Sequence, residues 1–223
     1  MSGRGLGGLP GGLAPVLTAT GTGQPTADYA GWMGGTVIRA ARVADASQIA
    51  VVHVRSWQGA YRGLLPQAYL DGLDPAERVG RWKRSLAEAA NDGRNGVLVA
   101  DASGTLLGFA GYAPSRDGDV DPARVGEIDA IYLLPSAWGK GLGGRLMRAA
   151  LTRLAEAQFD QVTLWVLDSN VRARRFYEAG GWLADGARKI EESRGFPIAQ
   201  VRYKRSLMPS GTGPALSCLC RVA

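Results

Sequence analysis

A glycine-rich segment in the second half of the chain constrains the fold more than any other feature. Residues 139–144 read GKGLGG, an apolar strand-like segment precedes them at 126–135, and an amphipathic run follows at 145–151. The chain therefore passes from a strand through glycines into a helix N-terminus. Unpaired backbone N–H groups and the helix dipole favour an anion at such a place, and glycine lets a phosphate approach the backbone closely. The segment predicts a phosphate-binding turn between a strand and a helix.

The hydrophobic pattern around this turn predicts a mixed α/β (α+β) protein. A strand-like segment, TVIRAARV, comes first, followed by amphipathic helices at 44–61, with Asp45 as the expected N-cap, and at 74–90. Three consecutive strands follow in NGVLVAD, TLLGFAGYA and GEIDAIYLL, and then a helix from about Gly143 to Ala157. The strand QVTLWVL, the helix VRARRFYEAG and a last strand near IAQVRYKRSL complete the order. This order predicts a mixed, mostly antiparallel central sheet flanked by helices, with a β-α-β crossover in its second half.

Composition divides the 223 residues into a tail, a body and a second tail. Residues 1–34 are rich in Gly, Pro, Thr and Ala without periodicity, which predicts a disordered segment or a wrongly assigned start, with Met33 as the alternative initiator. Residues 208–223 have the same character, so we expect one domain over residues 35–207.

Cysteine usage and charge restrict the location and the partners. Cys218 and Cys220 offer neither a disulfide framework nor a zinc spacing, which indicates the cytoplasm. No apolar run approaches the roughly 18 residues of a membrane span. The net charge of +6 fits an anionic partner, but no basic stretch interleaved with aromatic residues argues for nucleic acid.

Known phosphate-binding patterns fit the turn unequally. The Walker A pattern fails, because Gly141 follows Lys140 where Ser or Thr is required. The dinucleotide pattern G-x-G-x-x-G is met by Gly139, Gly141 and Gly144, but PSAW separates the glycines from the strand and little parallel β-α-β pattern surrounds them. A nicotinamide-dependent oxidoreductase therefore stays open as an alternative, as does a glycine turn without a ligand.

Two segments together resemble the GCN5-related N-acetyltransferases (GNAT family). LPSAWGKGLGGRLM is similar to their acyl-CoA pyrophosphate loop, with Gly141 and Gly143 in the glycine places and Trp138 where the family has Gln or Arg. NVRARRFYEAGGW resembles the family's second motif from Asn170 to Trp182. The resemblance covers about residues 36–206 and implies the GNAT fold with a β-α-β acyl-CoA-binding core.

The resemblance implies an N-acetyltransferase. It would move an acetyl group from the cosubstrate acetyl-CoA to a primary amine, on a small molecule or on a protein N-terminus or lysine, by direct transfer in a ternary complex. No metal is implied, and the protein is expected to be a monomer or a homodimer. A non-catalytic acyl-CoA-binding sensor of the same fold remains an alternative.

Two residues are the expected catalytic pair. Tyr177 matches the family's acid, and its ordinary pKa of about 10 lies not far above that of a thiol at about 8.5. Glu127 stands eleven residues before Trp138 on the strand, where histone-acetylating relatives place their general base. Strand alternation puts Asp129 on the same face, so Glu127, Asp129 or a water could be the base.

The expected acetyl-CoA contacts follow from the same motifs. The Leu133 backbone N–H, beside a bulge expected before Pro135, would bind the thioester carbonyl. Asn170 would hold the pantetheine arm or cap the next helix. The pyrophosphate loop comprises Gly139, Lys140, Gly141, Leu142, Gly143 and Gly144. Basic residues expected near the phosphates are Lys140, Arg145, Arg172, Arg174 and Arg175.

The acceptor side is the least informative part of the sequence. Trp57, Tyr61 and Tyr69 lie in the helical region that walls the acceptor site in the family, and they are equally suited to the core. His53, the only histidine, is expected to pack against the body or to face solvent.

Overall fold

The computed structural model describes residues 35–89 and 93–207, which form a seven-stranded sheet with helices on both faces. The helices are α1 Ala46–Ala60, α2 Gln67–Asp71, α3 Pro75–Ala89, α4 Leu142–Glu156 and α5 Val171–Ala179. The strands are β1 Thr36–Ala40, β2 Gly96–Ala102, β3 Thr105–Pro114, β4 Val125–Leu133, β5 Gln161–Leu167, β6 Leu183–Glu191 and β7 Ile198–Ser206. Their order is β1-β2-β3-β4-β5-β7-β6, and only the β4–β5 pair is parallel among these strands. The predicted mixed, mostly antiparallel sheet flanked by helices is confirmed.

Both faces of the sheet are buried over its central strands. On β2, Val97 and Val99 pack with the core that contains α1 and α3, whereas Leu98 and Ala100 pack with the core that contains α4 and α5. Successive side chains of a strand point to opposite faces, so β2, β3, β4, β5 and β7 each contribute to both cores. The helices thereby hold the sheet between two apolar layers.

A gap opens in the middle of the sheet between the two parallel strands. Residues Val125–Glu127 of β4 pair with Gln161–Thr163 of β5, and the pairing stops there although both strands continue. The strands therefore diverge toward their carboxyl ends. Because α4 and α5 begin just after these ends, their N-termini lie at the mouth of the gap.

A bulge sits in β4 at Asp129. Gly111 of β3 pairs with Ala130 while Tyr112 pairs with Ile128, which leaves Asp129 as the inserted residue. The expectation of a bulge before Pro135 was wrong, because Leu133 pairs in regular register with Gly108. Gly111 explains the position: a Cβ there would overlap the Asp129 carboxylate, so only glycine leaves room for it.

Some elements differ from the sequence prediction. The short helix α2 and the strand β6 were not predicted, since β6 is largely exposed on both faces and carries no alternating pattern. Asp45 does precede α1, but its carboxylate accepts the Arg42 N–H (2.7 Å) and pairs with Arg39 instead of capping the helix.

Parts of the prediction fall outside the described residues. The two predicted tails, with Met33 and both cysteines, lie there. Within residues 35–89 and 93–207, no helix combines the length and the apolar character needed to cross a membrane.

Candidate active site

The glycine-rich turn joins β4 to α4 through two left-handed glycines. Gly139 has φ of 71° and Gly141, the residue before the helix, has φ of 73°. Residues with a Cβ are strained in this region, whereas glycine adopts it readily. The turn thus places the first backbone N–H groups of α4 at the surface of a cavity, as a phosphate-binding turn requires.

A cavity of about 790 Å³ lies between this turn and α5. It brings together all six residues predicted for the pyrophosphate loop, Gly139 to Gly144. The remaining lining residues are Ala137, Arg148, Val171, Arg172, Arg175, Phe176 and Ala179. The volume suits an elongated ligand of the size of a cofactor.

The predicted basic cluster is only partly assembled at the cavity. Lys140, Arg172 and Arg175 line it, but Arg145 donates to the Thr36 carbonyl (2.7 Å) and so ties α4 to β1. Arg174 pairs with Asp168 (2.9 Å), which also turns it away. Arg148 lines the cavity and was missed, although its position one helical turn after Gly144 was a usable signal.

The end of β4 presents a backbone amide to the gap. The Leu134 N–H donates to the Leu107 carbonyl (2.9 Å), so the neighbouring pair Leu133 and Gly108 is a non-hydrogen-bonded pair of the antiparallel ladder. The Leu133 N–H consequently points away from β3, toward the diverging strand β5. This direction is compatible with the predicted contact to a thioester carbonyl.

Tyr177 lies in the last turn of α5, and its side chain is fully buried. Its hydroxyl has no hydrogen-bond partner among the described residues. Burial, with a smaller contribution from Tyr132, raises the pKa of Tyr177 well above 10. The near match to a thiol pKa expected from reference values therefore does not hold for the isolated protein. The phenol stays protonated at neutral pH, and a thiolate buried beside it is destabilised by the same burial.

Asn170 caps α5, which is one of its two predicted roles. Its Oδ1 accepts the Ala173 N–H (3.1 Å), so the side chain caps α5. Its Nδ2 is buried and donates to no other described residue. One half of the amide therefore holds the helix, and the contact of the other half with the pantetheine arm stays a prediction.

Two carboxylates and one guanidinium lie on β4 and the loop before it. Glu127 accepts three hydrogen bonds from Arg116, each of 3.4 Å, and Asp129 lies 3.9 Å from the same guanidinium. The Asp129 Oδ1 is buried and accepts no hydrogen bond within the described chain. Burial raises the pKa of the Asp129 carboxyl from 3.8 to about 7; Arg116 opposes the rise and Glu127 adds to it. Sequence reasoning missed Arg116 because it lies in a loop without a motif.

The aromatic residues of the expected acceptor side divide between core and surface. Trp57 and Tyr61 are 1% and 0% exposed, which assigns them to the core. Tyr69 is half-buried and its hydroxyl accepts the Arg194 Nε–H (3.1 Å). His53 is buried and stacks on Tyr132 with ring centroids 5.1 Å apart, and burial holds the pKa of His53 well below 6.5.

The topology of the sheet argues against the alternative of a dinucleotide-binding fold. That fold needs a doubly wound parallel sheet, whereas the strands within residues 35–89 and 93–207 contain one short parallel pair. The fold around the glycine turn therefore fits an acyl-CoA site better than a dinucleotide site.

Comparisons with known proteins agree with this geometry. The model of the acetyltransferase (GNAT) family matches residues 57–182. The uncharacterized N-acetyltransferase YuaI of Bacillus subtilis is 34% identical over 169 residues, which cover 75% of this chain and 88% of YuaI. A probable N-acetyltransferase of Mycobacterium tuberculosis, Rv2775, is 29% identical over 67% of this chain and 80% of its own.

Solved structures share the fold at low sequence identity. The acetyltransferase yncA from Salmonella typhimurium, solved with its cofactor acetyl-CoA, has a TM-score of 0.58 at 19% identity and covers 81% of this chain and 98% of its own. The PaiA N-acetyltransferase from Thermoplasma acidophilum, in complex with coenzyme A, has a TM-score of 0.55 at 19% identity over 77% and 98% of the two chains.

Proposed function

Because the chain belongs to the GNAT family of acetyltransferases, we propose that it moves an acetyl group from acetyl-CoA to a primary amine by direct transfer in a ternary complex. The observation that carries the proposal is the cavity of about 790 Å³ built on the left-handed glycines at the N-terminus of α4. Two solved structures of the same fold hold acetyl-CoA or coenzyme A. The proposal includes a cytoplasmic location, which the sparse cysteines indicate.

We assign a contact to each part of acetyl-CoA; the glycine loop lines the cavity, whereas Asn170 and Leu133 are not among its lining residues. The backbone N–H groups at residues 142–144 and the helix dipole suit the pyrophosphate. The Asn170 Nδ2 is a buried donor in need of an acceptor, which an amide carbonyl of the pantetheine arm provides. The Leu133 N–H would polarise the thioester carbonyl and stabilise the oxyanion that forms on it.

We assign the proton transfers to Asp129 and Tyr177, the two buried titratable groups with an unsatisfied side-chain oxygen among the described residues. The amine nitrogen forms a bond to the acetyl carbon, and the carbon–sulfur bond then breaks. Asp129 takes the proton that the amine loses, and the Tyr177 hydroxyl gives its proton to the departing thiolate. A carboxyl with a pKa of about 7 is half ionised at neutral pH, which suits a base. Glu127, expected from sequence to be the base, holds Arg116 beside Asp129 in this scheme.

The first experiment is a calorimetric titration of the full chain with acetyl-CoA, with NADH and NADPH in parallel. Micromolar binding of acetyl-CoA without nicotinamide binding supports the proposal, and the reverse result refutes it. A panel of small amines and of peptides with free N-termini or lysines then identifies the acceptor class by thiol release.

The Tyr177→Phe variant separates an enzyme from an acyl-CoA sensor. We expect acetyl-CoA affinity to be unchanged and thiol release to fall at least tenfold, as for an interaction made in the transition state. An unchanged rate removes Tyr177 from its role. Absence of thiol release with every amine, in a protein that binds acetyl-CoA, favours the sensor.

A further inference from the structure

The loop departs from its family pattern at Trp138, which cannot supply the contact of a Gln or Arg. The Trp138 indole N–H donates to the Leu133 carbonyl (3.0 Å), so its only donor is already used. The ring packs against α1, where a Cβ on Gly59 would lie 3.1 Å from it. Trp138 therefore fixes the loop between β4 and α1 and leaves the charged contact of this position unfilled.

Arg172 of α5 reaches the same place from the other side of the cavity. Its guanidinium lies over the Trp138 ring, 4.4 Å from the ring centroid. The Nε and Nη2 atoms of Arg172 are buried and donate to no other described residue. Arg172 also lines the cavity together with Gly139 and Gly141. Burial lowers the pKa of Arg172, in line with a cation that lacks a counter-ion.

A half-buried guanidinium whose Nε and Nη2 atoms are buried and unused as donors needs a partner. Burying a charge is unfavourable unless it is paired and hydrogen-bonded. The Nε–H and Nη2–H bonds run parallel on one side of the guanidinium and match two oxygens of one phosphate group. The N-terminus of α4 lies across the same cavity and favours the same anion.

We propose that Arg172 supplies, from α5, the side-chain contact to the pyrophosphate that the loop lacks at position 138. Trp138 acts as the platform: its ring orients the guanidinium by stacking and shields it from water. This assignment rests on the proposed function, since it takes the pyrophosphate of acetyl-CoA as the ligand of the cavity. The motif on α5 and the loop after β4 thus bind one phosphate group jointly.

The test is a set of calorimetric titrations of wild type and Arg172→Met with three ligands: coenzyme A, 3′-dephospho-coenzyme A and pantetheine. Loss of a charge-assisted bidentate contact should weaken coenzyme A by about 10- to 100-fold. The 3′-dephospho ligand should lose affinity by the same factor, since the contact is to the pyrophosphate. Pantetheine, which has no phosphate, should bind both proteins equally.

Two further variants control for charge and for geometry. Arg175→Met removes a cation that lines the same cavity one turn later on α5, and it should weaken the 3′-dephospho ligand by less than about threefold because that side chain is exposed. Arg172→Lys keeps the charge but loses the parallel donors, so most of the loss should remain.

The outcomes separate this assignment from the proposed function. A wild type that binds no coenzyme A ligand defeats the proposed function itself. A wild type that binds, with equal affinity in Arg172→Met, overturns the role of Arg172 alone. An equally large loss for pantetheine also overturns it, because the substitution then disturbs the loop itself. An equally large loss in Arg175→Met overturns it as well, because any cation that adds to the positive electrostatic potential of the cavity then has the same effect.

Discussion

Replacing Asp129 by Asn should stabilise the protein more at pH 8 than at pH 5, while removing the proposed base. The carboxyl has a higher pKa in the folded chain, about 7, than its unperturbed 3.8, so the folded state binds more protons between these values. Stability due to this group is therefore lost as pH rises from 3.8 through 7. An asparagine at this position does not titrate, so its stability should lack this component.

The magnitude follows from the two pKa values. Ionisation of Asp129 costs the folded state about 2 kcal/mol at pH 5 and about 4 kcal/mol at pH 8. The advantage of Asp129→Asn should thus grow by about 2–3 kcal/mol between the two pH values. For a domain of this size the change corresponds to a Tm difference of about 5–10 °C.

Denaturant unfolding of wild type and variant at both pH values measures this difference, and the titrating groups that do not interact with Asp129 cancel in the comparison. Asp119→Asn is the matched control: the hydrogen bond from Arg202 lowers the pKa of Asp119, so its effect should be the same at pH 5 and pH 8. If the advantage of Asp129→Asn is equal at the two pH values, Asp129 lacks the raised pKa, and the reason for preferring it to Glu127 as the base is lost.

Three other substitutions test the geometry of the site. Gly111→Ala should lower kcat and destabilise the protein by about 1–3 kcal/mol, because its Cβ displaces the Asp129 carboxylate; unchanged kinetics would contradict the contact. Gly141→Ala should cost about 1–2 kcal/mol in unfolding experiments and weaken acetyl-CoA binding, whereas Asn, which tolerates a positive φ, should cost less. Asn170→Ser keeps an oxygen for the helix cap but loses the Nδ2 donor, so most of the Tm should be retained while the KM for acetyl-CoA rises; Asn170→Ala should in addition lose about 1 kcal/mol of stability, and an unchanged KM in both would remove Asn170 from the site.

The parts of the fold that could be predicted are those with a local signal. The strands β2 and β3 carry apolar runs, β4 ends in one after Asp129, and α4 begins one residue from its predicted start because the glycines mark it. The strand β6 has no such signal, because it is mostly exposed and is held in place by its pairing with β7. The Asp129 bulge was hidden for a similar reason: only the partner residue Gly111 shows why one residue is inserted.

The site shows the same division. The motifs identified the loop residues from Gly139 to Gly144, which line one cavity. They could not show that Arg145 bonds to Thr36, because Thr36 lies far away in sequence. Nor could they show that Arg174 pairs with Asp168, because Asp168 lies outside α5. They also could not show how Arg116 arranges the two carboxylates, since that arrangement depends on the path of a loop.

The short pairing between β4 and β5 gives the sheet two interior edges. Beyond Glu127 and Thr163 these two strands no longer pair with each other, so each has a free side facing the gap. Such edges invite pairing with other proteins when they lie at the outside of a sheet, but here strands on both sides and helices above and below enclose them. A slender chain with amide groups can enter where a whole polypeptide cannot, and the pantetheine arm of acetyl-CoA is such a chain. The bound cosubstrate would then act as a removable eighth strand that joins the two halves of the sheet.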